Sequence, residues 1–145
     1  MFQDAAFIRL YPESGSLVHG HASKTAIEIK NGQGIPIATK GQVLANGTPI
    51  VAFQTDLSGS GIISWLPQQN KVYTLQIEDN SRLLVYQFPP VAATGYSLHL
   101  KESIIEDTTF QIEIGTPGKS SLHLIAHNYR TSFFSGSQRV LCSGL

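Results

Sequence analysis

Two histidines, His19 and His21, stand on either side of Gly20 near the start of the chain. On a β-strand, positions two apart point to the same face, so this spacing would let both imidazoles bind one metal ion. A zinc site needs at least a third protein ligand, and no local carboxylate or cysteine is spaced to supply it. A polar loop leading into the next strand is the simpler interpretation. We predict no metal site and no cofactor.

The nucleophilic side chains lack the surroundings that catalysis needs. Cys142 is the only cysteine and follows two apolar residues, a pattern typical of a half-buried strand thiol. The run Ser58–Gly61 is not a nucleophile elbow, because that motif is Gly-x-Ser-x-Gly at a strand-to-helix turn. The glycines of this run are instead those that a turn requires. Glu78 and Asp79, two carboxylates next to each other in the sequence, are typical of a solvated loop tip. We predict no catalytic residue and therefore a chain that is not an enzyme.

Aromatic side chains are the third group that could act, because carbohydrate-binding sandwiches use exposed rings as stacking platforms. Trp65, Tyr73 and Tyr11 are the candidate ligand contacts. Trp65 ends an apolar run just before Leu66 and Pro67, however, which is typical of a core residue at the end of a sheet. Placement decides between the hypotheses: rings of Trp65 and Tyr73 turned into a core favour a scaffold, and rings turned outward favour a sugar site.

The elements that would position these side chains are short strands with turn residues between them. Seven runs of alternating apolar residues occur between positions 7 and 86. Asn46-Gly47 is a strong hairpin signal, because both residues tolerate positive φ. No window of a dozen residues carries an apolar period of 3.6, so we expect almost no helix. The pattern predicts an all-β fold that begins with an immunoglobulin-like antiparallel β-sandwich.

The segment 88–95, FPPVAATG, is predicted to be a linker, because two prolines cannot serve a central strand and small residues follow them. Strand patterns restart at 96–100, 109–114 and 122–127, and a last pair is predicted on either side of Ser135-Gly136-Ser137. Some 50 residues are few for an independent sandwich. Either this part packs against the first domain, or the chain is cut from a longer sequence. We favour the second alternative. We assign residues 1–88 to the first β-sandwich and 89–145 to a second, incomplete one.

The composition excludes several functional classes. Ten Lys and Arg balance ten Asp and Glu, so no field of one sign exists to attract a polyanion, and we predict no nucleic-acid binding. The longest apolar run is far short of the roughly 20 residues of a membrane helix, so we predict no membrane insertion. Met1 is not followed by a basic segment and an apolar stretch, so no signal peptide is predicted, although an excised fragment would have lost one.

Several short motifs between residues 7 and 88 occur together in one order. They are Leu10–Gly20, Ser23–Ile27, Asn31–Ile37, Gly41–Leu44, Thr55–Gly61 and Pro67–Tyr73. As a set they resemble the macroglobulin-like and carboxypeptidase-regulatory-like β-sandwiches of large surface proteins from Bacteroidetes-type bacteria. In that family the first motif looks like Tyr/Phe-Pro-Glu-Gly-Gly. Here Ser14 replaces the first of those glycines, and Trp65 fills the family's aromatic place.

This resemblance implies a non-catalytic module pair within a larger exported or surface bacterial protein, located extracellularly, in the periplasm or at the outer membrane. The thioester motif Cys-Gly-Glu-Gln of the related α2-macroglobulins is missing, since Cys142 is followed by Ser-Gly-Leu. We therefore predict a structural spacer and protein-interaction surface, whose partners are neighbouring domains of the parent chain, and a protein or glycan beyond them. The alternative is a carbohydrate-binding module for polysaccharide capture. A hydrolase or inhibitor fragment would need a clustered polar pocket, which no constellation of residues supplies.

Overall fold

The computed structural model describes residues 7–79, 82–100, 112–116, 120–127 and 132–140. These residues form eleven strands and no helix, and all the strand pairs are antiparallel. The strands are β1 (Phe7–Pro12), β2 (Ser23–Lys30), β3 (Lys40–Ala45), β4 (Thr48–Gln54), β5 (Ser60–Trp65), β6 (Tyr73–Asp79), β7 (Arg82–Gln87), β8 (Ser97–Leu100), β9 (Ile112–Gly115), β10 (Ser120–His127) and β11 (Ser132–Val140). The all-β prediction is confirmed.

The first seven strands form two sheets that share one hydrophobic core. One sheet has the order β1-β2-β5, and the other has the order β4-β3-β6-β7. The alternation predicted from the sequence is visible in β2, where Thr25, Ile27 and Ile29 are buried and the residues between them are not. Both sheets contribute to the core, which consists of Leu17, Ile27, Ile29, Val43, Ala45, Phe53, Ile63, Trp65, Tyr73, Leu75, Ile77 and Phe88.

The hairpin between β3 and β4 turns where the sequence predicts it. Asn46 and Gly47 have φ angles of 48° and 82°, the positive values of a type I′ turn. The Asn46 side chain also accepts a hydrogen bond from the Val72 amide at 2.8 Å. Because this hairpin fixes the register of β3 against β4, it determines which side chains of the four-stranded sheet face the core.

Three aromatic rings pack together inside this sandwich. The ring centroid of Trp65 lies 4.3 Å from that of Tyr73 and 5.4 Å from that of Phe88, in edge-to-face geometry. The hydroxyl of Tyr73, at the start of β6, accepts a hydrogen bond from the Gln68 amide at 2.9 Å. The tyrosine corner of Greek-key sandwiches has a hydrogen bond of this kind, from a tyrosine near the start of a strand to the backbone a few residues upstream. The bond between Tyr73 and Gln68 holds the β5–β6 connection against the core.

The segment after β7 is bound to the first sandwich along part of its length. Phe88 belongs to the core, and the Phe88 amide donates to the Tyr73 carbonyl at 2.9 Å. The Ala92 amide donates to the Leu17 carbonyl, and the His19 amide donates to the Ala92 carbonyl, both at 2.9 Å. The predicted linker is therefore tied down at its centre by backbone hydrogen bonds.

Beyond this segment, the described residues form two separate two-stranded sheets, β8-β9 and β10-β11. The predicted pair of strands around Ser135-Gly136-Ser137 is wrong, because β11 runs through these residues as one strand. Gly136 pairs with Leu124 of β10, so glycine here lies within a ladder and does not form a turn. The thiol of Cys142 lies outside the described residues.

Candidate functional site

The three aromatic candidates lie in two different environments. Trp65 and Tyr73 are 9% and 4% exposed and contact each other in the core, whereas Tyr11 is 49% exposed on β1. Rings buried between two sheets have no free face on which a sugar can stack. The placement of Trp65 and Tyr73 is the one that the scaffold hypothesis expects, and only Tyr11 remains available to a ligand.

The indole nitrogen of Trp65 is buried without a hydrogen-bond partner among the described residues. A buried donor left unpaired destabilises a fold by about 1–3 kcal/mol. The ring is therefore held in place by packing against Tyr73 and Phe88 in spite of its polar atom.

The richest polar site of the described residues lies where the loop after β1 meets β8. The Ser14 hydroxyl accepts from the Leu98 amide at 2.9 Å and donates to the Leu98 carbonyl at 3.1 Å. One carboxylate oxygen of Glu13 accepts from the Leu100 amide at 2.9 Å, and the other lies 2.6 Å from His99 Nδ1. Two adjacent side chains thus bind the backbone of β8 at alternate residues. We call Glu13, Ser14, Leu98, His99 and Leu100 the junction.

The junction occupies an edge of β8 that no other described strand pairs with. Leu98 and Leu100 also pair with Ile114 and Ile112 of β9, on the other side of β8. The outer backbone groups of an edge strand must otherwise bond to water or to another chain. The side chains of Glu13 and Ser14 take that place, so the loop after β1 closes the edge of β8.

Hydrogen bonds at the junction set the ionisation of Glu13. Partial burial by itself raises the pKa of this carboxyl, but the Leu100 amide, the His99 side chain and the charge of Lys24 together lower it below its ordinary value. A depressed pKa means that the carboxylate is stabilised more in the folded chain than in the unfolded one. This stabilisation is fully present above the unfolded pKa and is lost as the pH falls through the lower, folded pKa.

We expect the amide proton of Leu100 to report this titration directly. As the pH falls, protonation of Glu13 weakens the hydrogen bond to the amide, and the ¹H resonance of Leu100 shifts with a midpoint below the ordinary glutamate pKa of about 4.3. Two-dimensional ¹H–¹⁵N NMR measures this midpoint. The same resonance in Glu13→Gln serves as the control and should not titrate there. A midpoint at or above the ordinary value would contradict the geometry of the junction.

His19 and His21, the two histidines considered as metal ligands, make separate hydrogen bonds. His19 Nδ1 accepts from the Gln69 amide at 3.1 Å, and His21 Nδ1 lies 2.6 Å from the Ser97 hydroxyl, beside the junction. Within the described part of the chain, no group of three or more His, Cys, Asp or Glu residues is placed to hold a metal ion. A β-carbon added at Gly115 would collide with the side chains of His21 and Ser97, so a larger residue there would have to displace them.

The outer face of β1 and β2 carries a second cluster. Phe7, Arg9 and Tyr11 alternate along β1, and the register places Phe7 opposite Lys30 and Arg9 opposite Glu28. The Tyr11 hydroxyl donates to one Glu28 oxygen at 3.3 Å, and Lys30 Nζ lies 2.5 Å from the other. These contacts lower the pKa of Glu28, and the hydrogen bond with Lys30 has the largest effect. A shallow groove of about 230 Å³ lies over this face.

The outer face of the four-stranded sheet carries another shallow groove, of about 280 Å³. On the floor of this groove, the side-chain amide of Gln42 donates to the side-chain carbonyl of Gln76 at 2.7 Å. Lys40 and Leu83 also line the groove. Among the described residues that line it, Lys40 is the single ionisable side chain.

Sequence reasoning named Tyr11 but missed the residues that act with it and the whole junction. Phe7 and Arg9 were detectable, because the alternation of β1 places them on the face of Tyr11. Glu13 and Ser14 gave no such signal, since their partners lie more than 80 residues away.

No family model, no curated protein and no solved structure matches this chain. Among the residues that the structure describes, no helix is long and apolar enough to cross a membrane.

Proposed function

We propose that this chain is a non-catalytic pair of β-sandwich modules that acts as a structural spacer and protein-interaction surface within a larger protein. The observation that carries this proposal is the junction. Glu13 and Ser14 make four polar contacts to β8, and these join the loop after β1 to the first strand of the second part. A spacer needs such a connection, because a free linker between modules does not transmit a fixed geometry.

Two features support a finer assignment of the first part as an immunoglobulin-like, macroglobulin-like module. The strand order, β1-β2-β5 against β4-β3-β6-β7, is compatible with a seven-stranded sandwich of that kind. The hydrogen bond of Tyr73 is of the tyrosine-corner kind that such Greek-key folds use. The motifs around Pro12 and Gly59 add the resemblance described from the sequence.

The partners and location follow from this proposal. The module pair would contact neighbouring domains of the parent chain and a protein partner, and the parent protein would be bacterial and extracellular, periplasmic or attached to the outer membrane. The sheet edges at β1 and β7, which pair with no further strand among the described residues, offer backbone groups to which a partner strand can pair.

We expect the two parts to tumble together in solution. ¹⁵N relaxation of the full chain should give one rotational correlation time for the amides of β1–β7 and those of β8–β9. In the double variant Glu13→Gln with Ser14→Ala, the contacts to β8 are weakened, so the amides of β8–β9 should show a shorter correlation time.

The matched control is Ser16→Ala, which changes an exposed serine in the same loop and should leave the relaxation unchanged. A separate, shorter correlation time for β8–β9 in the unmodified chain would overturn the spacer proposal, because the junction would then not hold the two parts together.

A further inference from the structure

The outer face of β1 and β2 has an unusual composition for a solvated strand surface. Phe7 is 58% exposed and Tyr11 is 49% exposed, with Arg9 between them. Residues two apart on a strand are separated by about 6.6 Å, so the backbone positions of Phe7 and Tyr11 lie about 13 Å apart, with Arg9 midway between them. Two aromatic rings are thus held on one flat face by a strand whose opposite side packs on the core.

The charge of this face is positive, although the whole chain is neutral. Arg9 and Lys30 project from it against the carboxylate of Glu28, while Lys24, further along β2, offsets the charge of Glu13. That carboxylate is already engaged, because Lys30 and Tyr11 contact its two oxygens. The hydrogen bond with Tyr11 raises the pKa of Arg9, which stays cationic. A guanidinium has five N–H donors, so Arg9 keeps donors for an external carboxylate.

We propose that this face binds a linear acidic oligosaccharide, a chain of uronic-acid units. The rings of Phe7 and Tyr11 stack on the apolar faces of two sugar rings, and Arg9 and Lys30 bind the carboxylates that the chain carries between them. This site is different from the buried pair of Trp65 and Tyr73, and it does not depend on the spacer role.

The shape of the face favours a sugar chain over an acidic peptide. The hot-spot side chains of a protein partner bind in well-packed pockets that exclude water. Here the groove is shallow, about 230 Å³, and is lined by Phe7, Arg9, Glu28, Lys30 and Gly34. An open groove bordered by a ring and cations suits a stiff polymer whose units alternate apolar faces with charges.

The test titrates the full chain with oligogalacturonate and follows binding by ¹H–¹⁵N chemical shifts, which also locate it. A neutral cello-oligosaccharide of equal length and poly-glutamate of equal charge are titrated in parallel. We expect oligogalacturonate to shift the amides of β1 and β2, with an affinity that falls as NaCl is added. Arg9→Gln and Tyr11→Ala should each weaken binding about tenfold or more, whereas Tyr11→Phe, which keeps the ring, should weaken it less.

The control variant is Leu83→Ser, an exposed apolar residue on the outer face of the other sheet, which should bind as the unmodified chain does. An unchanged Trp65 emission spectrum shows that each variant keeps its core. Equal binding of the neutral sugar, equal binding of poly-glutamate, no binding of oligogalacturonate, or binding indifferent to both Arg9→Gln and Tyr11→Ala would each overturn the proposal.

Discussion

Replacing Trp65 by alanine is expected to lower the free energy of unfolding by about 3–5 kcal/mol. The indole is 9% exposed and contacts the rings of Tyr73 and Phe88, so its removal leaves a cavity between the two sheets. Tyr73 begins β6 and Phe88 directly follows β7, so the two rings lie at the two ends of the last hairpin of the four-stranded sheet. Urea denaturation followed by far-ultraviolet circular dichroism measures the loss without relying on the tryptophan signal.

Two further variants separate packing from hydrogen bonding. Trp65→Phe should cost less than Trp65→Ala, because it keeps most of the ring and removes an indole N–H that has no partner. Tyr11→Ala changes an exposed aromatic residue and should cost less than about 1 kcal/mol. If Trp65→Ala costs no more than Tyr11→Ala, the aromatic cluster does not hold the sandwich together.

The parts of this fold that the sequence predicts are those that local chemistry determines. Asn46-Gly47 forms its turn because both residues tolerate positive φ, whatever surrounds them. The alternation of β2 fixes which side chains are buried once one face meets a core. The position of Trp65 before Leu66 and Pro67 indicated a core residue, and the ring is buried.

The junction could not be predicted, because it depends on where two distant segments meet. Glu13 and Ser14 follow Pro12, the proline that ends β1. Their position is fully accounted for by a loop, so the sequence gives no reason to expect distant partners for them. Their partners, Leu98 and Leu100, look from the sequence like ordinary strand residues. Only the course of the chain around the first sandwich, tied down at Ala92, brings the two segments together.

At Gly136 the opposite holds: a local signal predicts a turn that the structure does not contain. The run Ser135-Gly136-Ser137 has turn-forming residues, yet β11 continues through it because each residue pairs with one of β10. Tertiary pairing decides the conformation of a short polar run, just as it overrides propensity in many strands.

Replacing Gly59 by alanine is expected to lower the free energy of unfolding by about 2–5 kcal/mol, whereas Gly34→Ala should cost only about 1–2 kcal/mol. Both glycines have positive φ, 73° and 79°, so an alanine at either position carries the same backbone strain. They differ in their surroundings: a β-carbon at Gly34 meets nothing within 4 Å, whereas one at Gly59 collides with the carbonyl of Ile29. Urea denaturation of the two variants isolates the contribution of the collision.

The collision matters because Ile29 links the turn to the core. The Ile29 amide donates to the Gly59 carbonyl at 2.8 Å, and the Ile29 carbonyl accepts from the Ile37 amide at 3.1 Å. An added methyl group must push on both contacts at a residue whose side chain is fully buried. Faster hydrogen exchange at the Ile29 and Ile37 amides should therefore accompany Gly59→Ala and be absent from Gly34→Ala. Equal destabilisation by the two substitutions would instead mean that backbone strain alone explains the glycine at position 59.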